Sequence, residues 1–274
     1  MKVLLVSRPG DFGVLEDVWE DHPLLLPVWG KSLLARLEEF FLSLGVTEGR
    51  IVCSDGPVLS AKSKRLGAFL SGRKKDFWSL RPSPFTGRRG WSELLAEQRL
   101  FWEGSEALVW SAPVLPLEPI VGNLALPGFP PVTNSEFSPR ILRAAGTLEA
   151  WPCPNLASIA GPRDFYQTHM RLLSVAPAGP TPLHGVDSKA VLTPPLALAG
   201  RIQAKAESRV GPHAVLCPGV RLDAQANLSH VIVLQPVRVG KGLSLDGQII
   251  VGNTLVGIEG TLTVIEDHRL LKVL

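Results

Sequence analysis

An aliphatic residue recurs every six positions through the last third of this chain. Val210, Leu216, Leu222, Leu228 and Leu234 keep the step, and after a slip of one residue Val239, Leu245 and Val251 resume it. Four residues after each of the first four stands Ala214, Val220, Ala226 or Ile232, and the later partners are Leu243, Ile249 and Leu255. A helix turns every 3.6 residues and cannot carry a six-residue stripe. Two strand residues and a turn can. Three such hexads close one coil, whose inward side chains stack on those of the coil below. Gly211, Gly219, Gly240 and Gly252 supply turns. The spacing predicts a parallel β-helix over 198–274 rather than the unrelated strands of a sandwich, with weaker matches running back through Leu198 and Ile202.

The preceding residues read as α/β. Lys2–Ser7 is an apolar strand run that stops at Arg8-Pro9-Gly10. Leu33, Leu34, Leu37, Phe40, Phe41 and Leu44 fall on one helical face, and Gly45 suits the residue after the helix. Ile51–Ser54 is a second strand and Ala107–Ser111 a third. Strand, helix and strand within some fifty residues form a βαβ unit, which implies a parallel sheet. Trp91–Trp102 reads as a helix, residues 112–150 are poorly patterned, and Pro162 opens a further helix as its first residue. Prolines 177, 180, 182, 194 and 195 mark a linker. The expected division is an α/β domain over 1–175, a Pro-rich linker over 176–197 and the coil over 198–274.

Composition agrees with this division. The 274 residues include 26 Gly and 24 Pro, with 45% hydrophobic and only 19% charged residues, which excludes a disordered chain and a coiled coil. Three cysteines, Cys53, Cys153 and Cys217, have no CxxC spacing, which argues for a reducing compartment and against structural zinc. The apolar run before Arg8 is too short for a signal peptide and no stretch reaches 18 apolar residues, so the expectation is a cytoplasmic protein with no membrane span. The net charge of +3 conceals a polarity. Between Lys62 and Arg89 stand nine basic residues and one acid, giving +8, so the remainder carries −5.

Several segments, in order, carry a likeness. Pro27-Val28-Trp29-Gly30-Lys31-Ser32-Leu33-Leu34 is similar to a "P-V-x-G-K-P-L-L" segment, and Leu44-Gly45-Val46-Thr47 followed by Ile51-Val52 to "G-V-x-x-I-V-V". Trp151 with Ile159-Ala160-Gly161-Pro162-Arg163-Asp164-Phe165-Tyr166 is similar to "W-x-D-I-G-T-P-x-D-Y". With the hexads behind them, these segments resemble the sugar-1-phosphate nucleotidyltransferases, which join a Rossmann-like α/β domain to a left-handed parallel β-helix. The resemblance implies attack of a sugar phosphate on the α-phosphate of a nucleoside triphosphate. That chemistry needs a glycine-rich phosphate loop with an Arg, a Lys, and two carboxylates for Mg²⁺.

Each of those parts is missing at the matching position. The loop arginine falls on Phe12, the lysine on Pro23 beside His22, the first metal carboxylate on Ala112 or Pro113, and the second on Ser158. Pro9 removes a backbone donor, and Gly10 alone survives as a weak phosphate-binding candidate. Uncharged residues cannot hold Mg²⁺ against its hydration shell. The expectation is a pseudoenzyme with no cofactor and no metal, acting as a structural, scaffolding or regulatory subunit through a protein partner or homo-oligomer formed by the β-helix. The alternative is an active divergent nucleotidyltransferase or a hexapeptide-repeat acyltransferase. His213 and His230, one coil apart, are the candidate general bases for the latter, or else turn histidines. With His268 they lack the close pair a zinc site needs. In the basic segment, Arg73, Lys74, Lys75, Arg88 and Arg89 are candidates for an acidic or phosphate-rich partner, and the interleaved Phe77, Trp78 and Phe85 for base stacking, against the plainer reading of a solvated insertion.

Overall fold

The computed structural model describes residues 1–54, 57–72, 77–83, 91–117, 138–151, 155–175 and 185–274. It is a mixed α/β structure with parallel sheets, and in its last third the regular elements among the described residues are all strands.

The first sheet grows from β1 (Lys2–Ser7), whose continuous apolar run is buried on both faces. Two short strands, β2 (Pro27–Val28) and β3 (Lys31–Ser32), form an antiparallel turn ahead of helix α2 (Leu33–Ser43). The short helix α1 (Val14–Val18) precedes them. The Ser32 hydroxyl caps α2 by accepting from the Ala35 amide at 3.2 Å, and Gly45 takes φ 74° just beyond its end. Strand β4 (Glu48–Ser54) pairs parallel with β1, and β5 (Trp78–Ser83) with β4. On the other side β6 (Ala107–Ser111) pairs parallel with β1. Two antiparallel strands complete that edge: β8 (Arg140–Leu142) and β9 (Leu148–Ala150). The order β5-β4-β1-β6-β8-β9 reverses direction of growth at β1, so the C-terminal ends of β1 and β6 flank a topological switch point. Strands β7 (Val114–Pro116) and β10 (Leu156–Ser158) pair antiparallel beside it. Helix α6 (Pro162–Val175) follows β10.

Several details differ from the expectations. The basic segment from Lys62 to Arg89 contains most of helix α3 (Pro57–Ser71) and strand β5. Strand β5 sits at the sheet edge, where Pro82 is tolerated. Phe77 and Trp78 are buried, and Trp78 meets Phe41 edge-on at 6.1 Å, so neither is a stacking platform for a base. The expected helix over 91–102 is two, α4 (Trp91–Glu97) and α5 (Arg99–Trp102).

From residue 185 the chain winds through three sheets in rotation. One contains β11 (Val191–Leu192), β14 (Arg209–Val210), β17 (Asn227–Ser229) and β20 (Ser244–Asp246). The second contains β12 (Leu196–Leu198), β15 (Ala214–Leu216), β18 (Val231–Val233) and β21 (Gln248–Val251). The third contains β13 (Gln203–Ala204), β16 (Arg221–Leu222) and β19 (Val237–Val239). Successive strands in each sheet are parallel, with Val191 opposite Arg209 and Gln203 opposite Arg221. Paired strands thus begin before residue 198, and of the expected linker only 176–184 remains, outside the described residues. The winding stops when the hairpin of β22 (Thr254–Gly257) and β23 (Leu262–Val264) and the strand β24 (Leu271–Val273) turn antiparallel.

The repeat slips at a different place from the one the leucines suggest. Leu216 lies opposite Val233, and Val233 opposite Ile250, so the deleted residue is at the Ser229-His230 corner and Leu234 is not in the column of Leu216. Val210, Leu216, Leu222, Leu228, Val233 and Val239 fill the interior of the winding. Ile232 and Ile249, the partners four residues after Leu228 and Leu245, stand in the outward row Val215–Ile232–Ile249–Val256. That row joins Phe12, Phe40, Trp110 and Phe165 in one hydrophobic cluster, so the two halves share a core.

Candidate functional site

At the switch point the loop after β1 has the position of a phosphate cradle, and its amides already have acceptors. The Arg8 amide donates to Asp11 Oδ2 at 2.7 Å, and the Gly10 amide to Glu16 Oε2 at 2.9 Å. The Asp11 amide returns to the Arg8 carbonyl at 3.2 Å. Backbone N–H groups converging in a loop attract an anion. Here the anions are the chain's own carboxylates. Glu16 is buried, and desolvation pushes its carboxyl above the usual range, opposed by the Gly10 amide and the Lys62 charge. The Lys62 ammonium is also buried and donates to the Trp19 carbonyl at 2.6 Å and to the Glu16 carbonyl. Burial depresses its pKa, partly offset by Glu16. This lysine, expected in a solvated insertion, is a structural member of the core.

The four positions where the resemblance places catalytic groups are all buried. Phe12 is fully inside the core. Pro113 offers its carbonyl to the Ile159 amide at 2.8 Å, which brings it beside β10. The Ser158 hydroxyl donates to the Asp164 carboxylate, and the Thr168 hydroxyl donates to the Ser158 carbonyl at 3.1 Å. A Cβ on Gly13 would lie 3.7 Å from Gly161, so the loop after β1 touches the entry to α6. Phe12, Pro113 and Ser158 therefore do converge, as apolar and hydroxyl groups. Pro23 opens a single 3₁₀ turn that His22 caps, with Nδ1 accepting from the Leu24 amide at 3.2 Å. Burial, aided by Lys62, pushes His22 down to about 3, so the ring is neutral and supplies no charge. Among the described residues no group of three metal-ligating side chains stands together. Gly10 takes φ 81° with open space where a Cβ would point. Arg73, Lys74, Lys75, Arg88, Arg89, Phe85 and Cys153 lie outside the described residues.

A second cluster forms at one corner of the winding. The rings of His213 and His230 stack with centroids 5.1 Å apart and planes at 14°. His230 Nδ1 lies 3.0 Å from Asp246 Oδ1. A carboxylate only accepts, so Nδ1 carries the hydrogen and Nε2 keeps the lone pair in the neutral ring. The Ser229 hydroxyl donates to the same Asp246 oxygen, and the Tyr166 hydroxyl donates to the His230 carbonyl at 2.8 Å. The hydrogen bonds from Ser229 and His230 hold Asp246 below the usual carboxylate range. Burial and then the Asp246 charge push the Tyr166 phenol up. Both histidines occupy left-handed corner positions, at φ 58° and 50°. His268 is not part of this cluster. Sequence spacing brought the two histidines together, while Asp246, one coil later, was missed for lack of any motif.

Among the described residues no helix is long and apolar enough to cross a membrane. No protein-family model matches this chain, and no curated protein matches it.

Proposed function

We propose that this chain is a nucleotidyltransferase-like α/β domain joined to a left-handed parallel β-helix, that it has lost catalysis, and that it acts as a structural, scaffolding or regulatory subunit of an assembly. The observation that carries this reading is the loop after β1, whose amides are engaged by Asp11 and Glu16. A triphosphate would have to displace two internal carboxylates and bury its charge beside Phe12, which stands where the resemblance calls for an arginine. The shared core, in which the winding's outward row covers the sheet half, fits a single rigid body better than a hinged enzyme. Hexads visiting three sheets in rotation support the β-helix. Nucleoside triphosphate with Mg²⁺ is expected to give no thermal stabilisation, because a ligand that binds only the native state must raise stability by mass action. A Mg²⁺-dependent shift, or pyrophosphate release with a sugar phosphate, overturns the reading.

A second reading is favoured by the His230–Asp246 contact: a hexapeptide-repeat acyltransferase with His230 Nε2 as general base. Its test is turnover of an acyl thioester with an amine or alcohol acceptor, abolished in His230→Asn.

A further inference from the structure

The second sheet of the winding ends on β23, and that edge is open. Its register with β22 fixes which groups face outward. The Gly257 amide donates to the Thr261 carbonyl at 2.8 Å, and the Ile265 amide to the Asn253 carbonyl at 2.8 Å, with Thr263 opposite Leu255 between them. Thr261, Thr263 and Ile265 therefore turn their backbone groups toward β22. Leu262 and Val264 turn theirs away from it, and among the described residues neither makes a backbone hydrogen bond elsewhere.

The first of these residues, Leu262, ends an apolar row. Val215, Ile232, Ile249, Val256 and Leu262 lie side by side across five strands. The first four are buried, while Leu262 is 46% exposed and Val264 57% exposed. Protected sheet edges carry a lysine, a proline, a bulge or an inward charge. Leu262-Thr263-Val264 carries none of these.

We infer that β23 pairs with β23 of a second copy of this chain, antiparallel, about a two-fold axis through Thr263. Identical strands pair antiparallel under a two-fold, and this one is self-complementary. Leu262 of each copy faces Val264 of the other, and the two pairs exchange four backbone hydrogen bonds. Thr263 faces its own copy in the close, non-hydrogen-bonded pairing. The apolar row then continues into the second molecule. Of the flanking carboxylates, Glu259 is paired with Arg163 and Asp267 with Arg269 at 2.8 Å, and Glu266 is exposed beyond the three paired residues. The inference rests on the assembly reading and gives that assembly its partner.

Sedimentation of the full chain is expected to give twice the chain mass, and Val264→Lys the single mass with an unchanged circular dichroism spectrum. Cα atoms about 4.5 Å apart in a non-hydrogen-bonded pair are within disulfide reach. Thr263→Cys is therefore expected to form a covalent dimer under mild diamide oxidation, well above the parent protein treated alike. A parent chain that sediments as a monomer, a dimer that survives Val264→Lys, or a Thr263→Cys variant that cross-links no more than the parent overturns the pairing. A monomer that also ignores Mg²⁺-triphosphate removes this dimer and leaves the non-catalytic reading standing. A dimer that binds Mg²⁺-triphosphate does the reverse.

Discussion

Both halves of the molecule are built on parallel strands, yet they solve their turns in different ways. In the winding, each turn stacks on the one below, so the space at a corner is set by the neighbouring coil. In the sheet half, the turn after β1 is closed by side chains reaching back to it, Asp11 and Glu16, and its glycine looks into open space. The comparison separates two meanings of glycine. At Gly211 and Gly240 in the winding it is required because another backbone lies where a side chain would begin. In the loop it is required only by its own dihedral angle.

The largest expected effect tests that distinction. A Cβ on Gly240 would lie 1.9 Å from the Arg269 carbonyl oxygen, whereas one on Gly10 would meet nothing within 4 Å. Gly240→Ala must shift the chain that closes the last coil, and its expected cost is about 4 kcal/mol, at the upper end for single substitutions. Gly10→Ala carries only the left-handed penalty, about 1 kcal/mol. Urea denaturation of the two variants measures the gap, and equal losses would erase the contrast.

Phe12→Arg asks whether the loop is a phosphate cradle lacking only its arginine. Phe12 is fully buried in the shared core, so a guanidinium there is expected to destabilise the fold by about 3 kcal/mol. It should gain no affinity for triphosphate, since the loop amides remain engaged. Triphosphate binding restored by this one change, read by calorimetry, would show a site that is merely incomplete.

Ile232→Ala probes the join between the halves. Ile232 is buried on the outward row and belongs to the cluster shared with the sheet half. The expected loss is about 3 kcal/mol, typical of a large-to-small change in a core. Because the core is common, the loss should appear in one cooperative transition reported equally by tryptophan fluorescence, which reads the sheet half, and by far-ultraviolet circular dichroism. Two transitions, with only the second displaced, would show halves that fold apart.

The same contrast explains what the sequence could disclose. Hexads are legible because every coil applies one steric rule, and Val210, Leu216, Leu222 and Leu228 all point inside as the spacing predicts. The spacing puts the deletion after Leu234 and not at Ser229-His230, because Leu234 is as apolar as Val233 and hydrophobicity alone does not tell the inner core from the shared one. In the sheet half β1, α2, β4 and β6 were legible from long apolar runs. Three-residue strands such as β8 and β9 are too short to show a period. Lys62 was misread because a run of positive charge ordinarily marks a solvated surface, while this ammonium is held by main-chain carbonyls that no pattern encodes. The absence of charge at Phe12, Pro113 and Ser158 was visible in the sequence. The carboxylates that fill the loop were not, since Asp11 and Glu16 become ligands of Arg8 and Gly10 only through the fold.

The smallest effect concerns acid, and it divides the halves by pH window. In the sheet half His22 is pushed down to about 3 and His169 to about 4, both chiefly by burial. Each is neutral in the folded chain, so below the ordinary histidine pKa of 6.5 the unfolded chain binds protons that the folded chain refuses. Stability attached to these rings is whole above pH 6.5 and falls as the pH drops toward 4 and 3. In the winding the groups perturbed in the acid range are carboxylates. Burial alone would raise Asp223, and its hydrogen bonds from Lys205 and Arg238 outweigh this and hold it below 3.8, so its contribution falls only when the pH drops below that value. One pH unit below 6.5, each buried histidine is expected to cost about 1.4 kcal/mol relative to neutral pH. In His22→Asn, whose side-chain oxygen can still accept from the Leu24 amide, the stability lost between pH 7.5 and 5.5 should shrink by about half, measured by urea denaturation at each pH. An undiminished loss would show that His22 carries none of the acid sensitivity and break the comparison at its weakest joint.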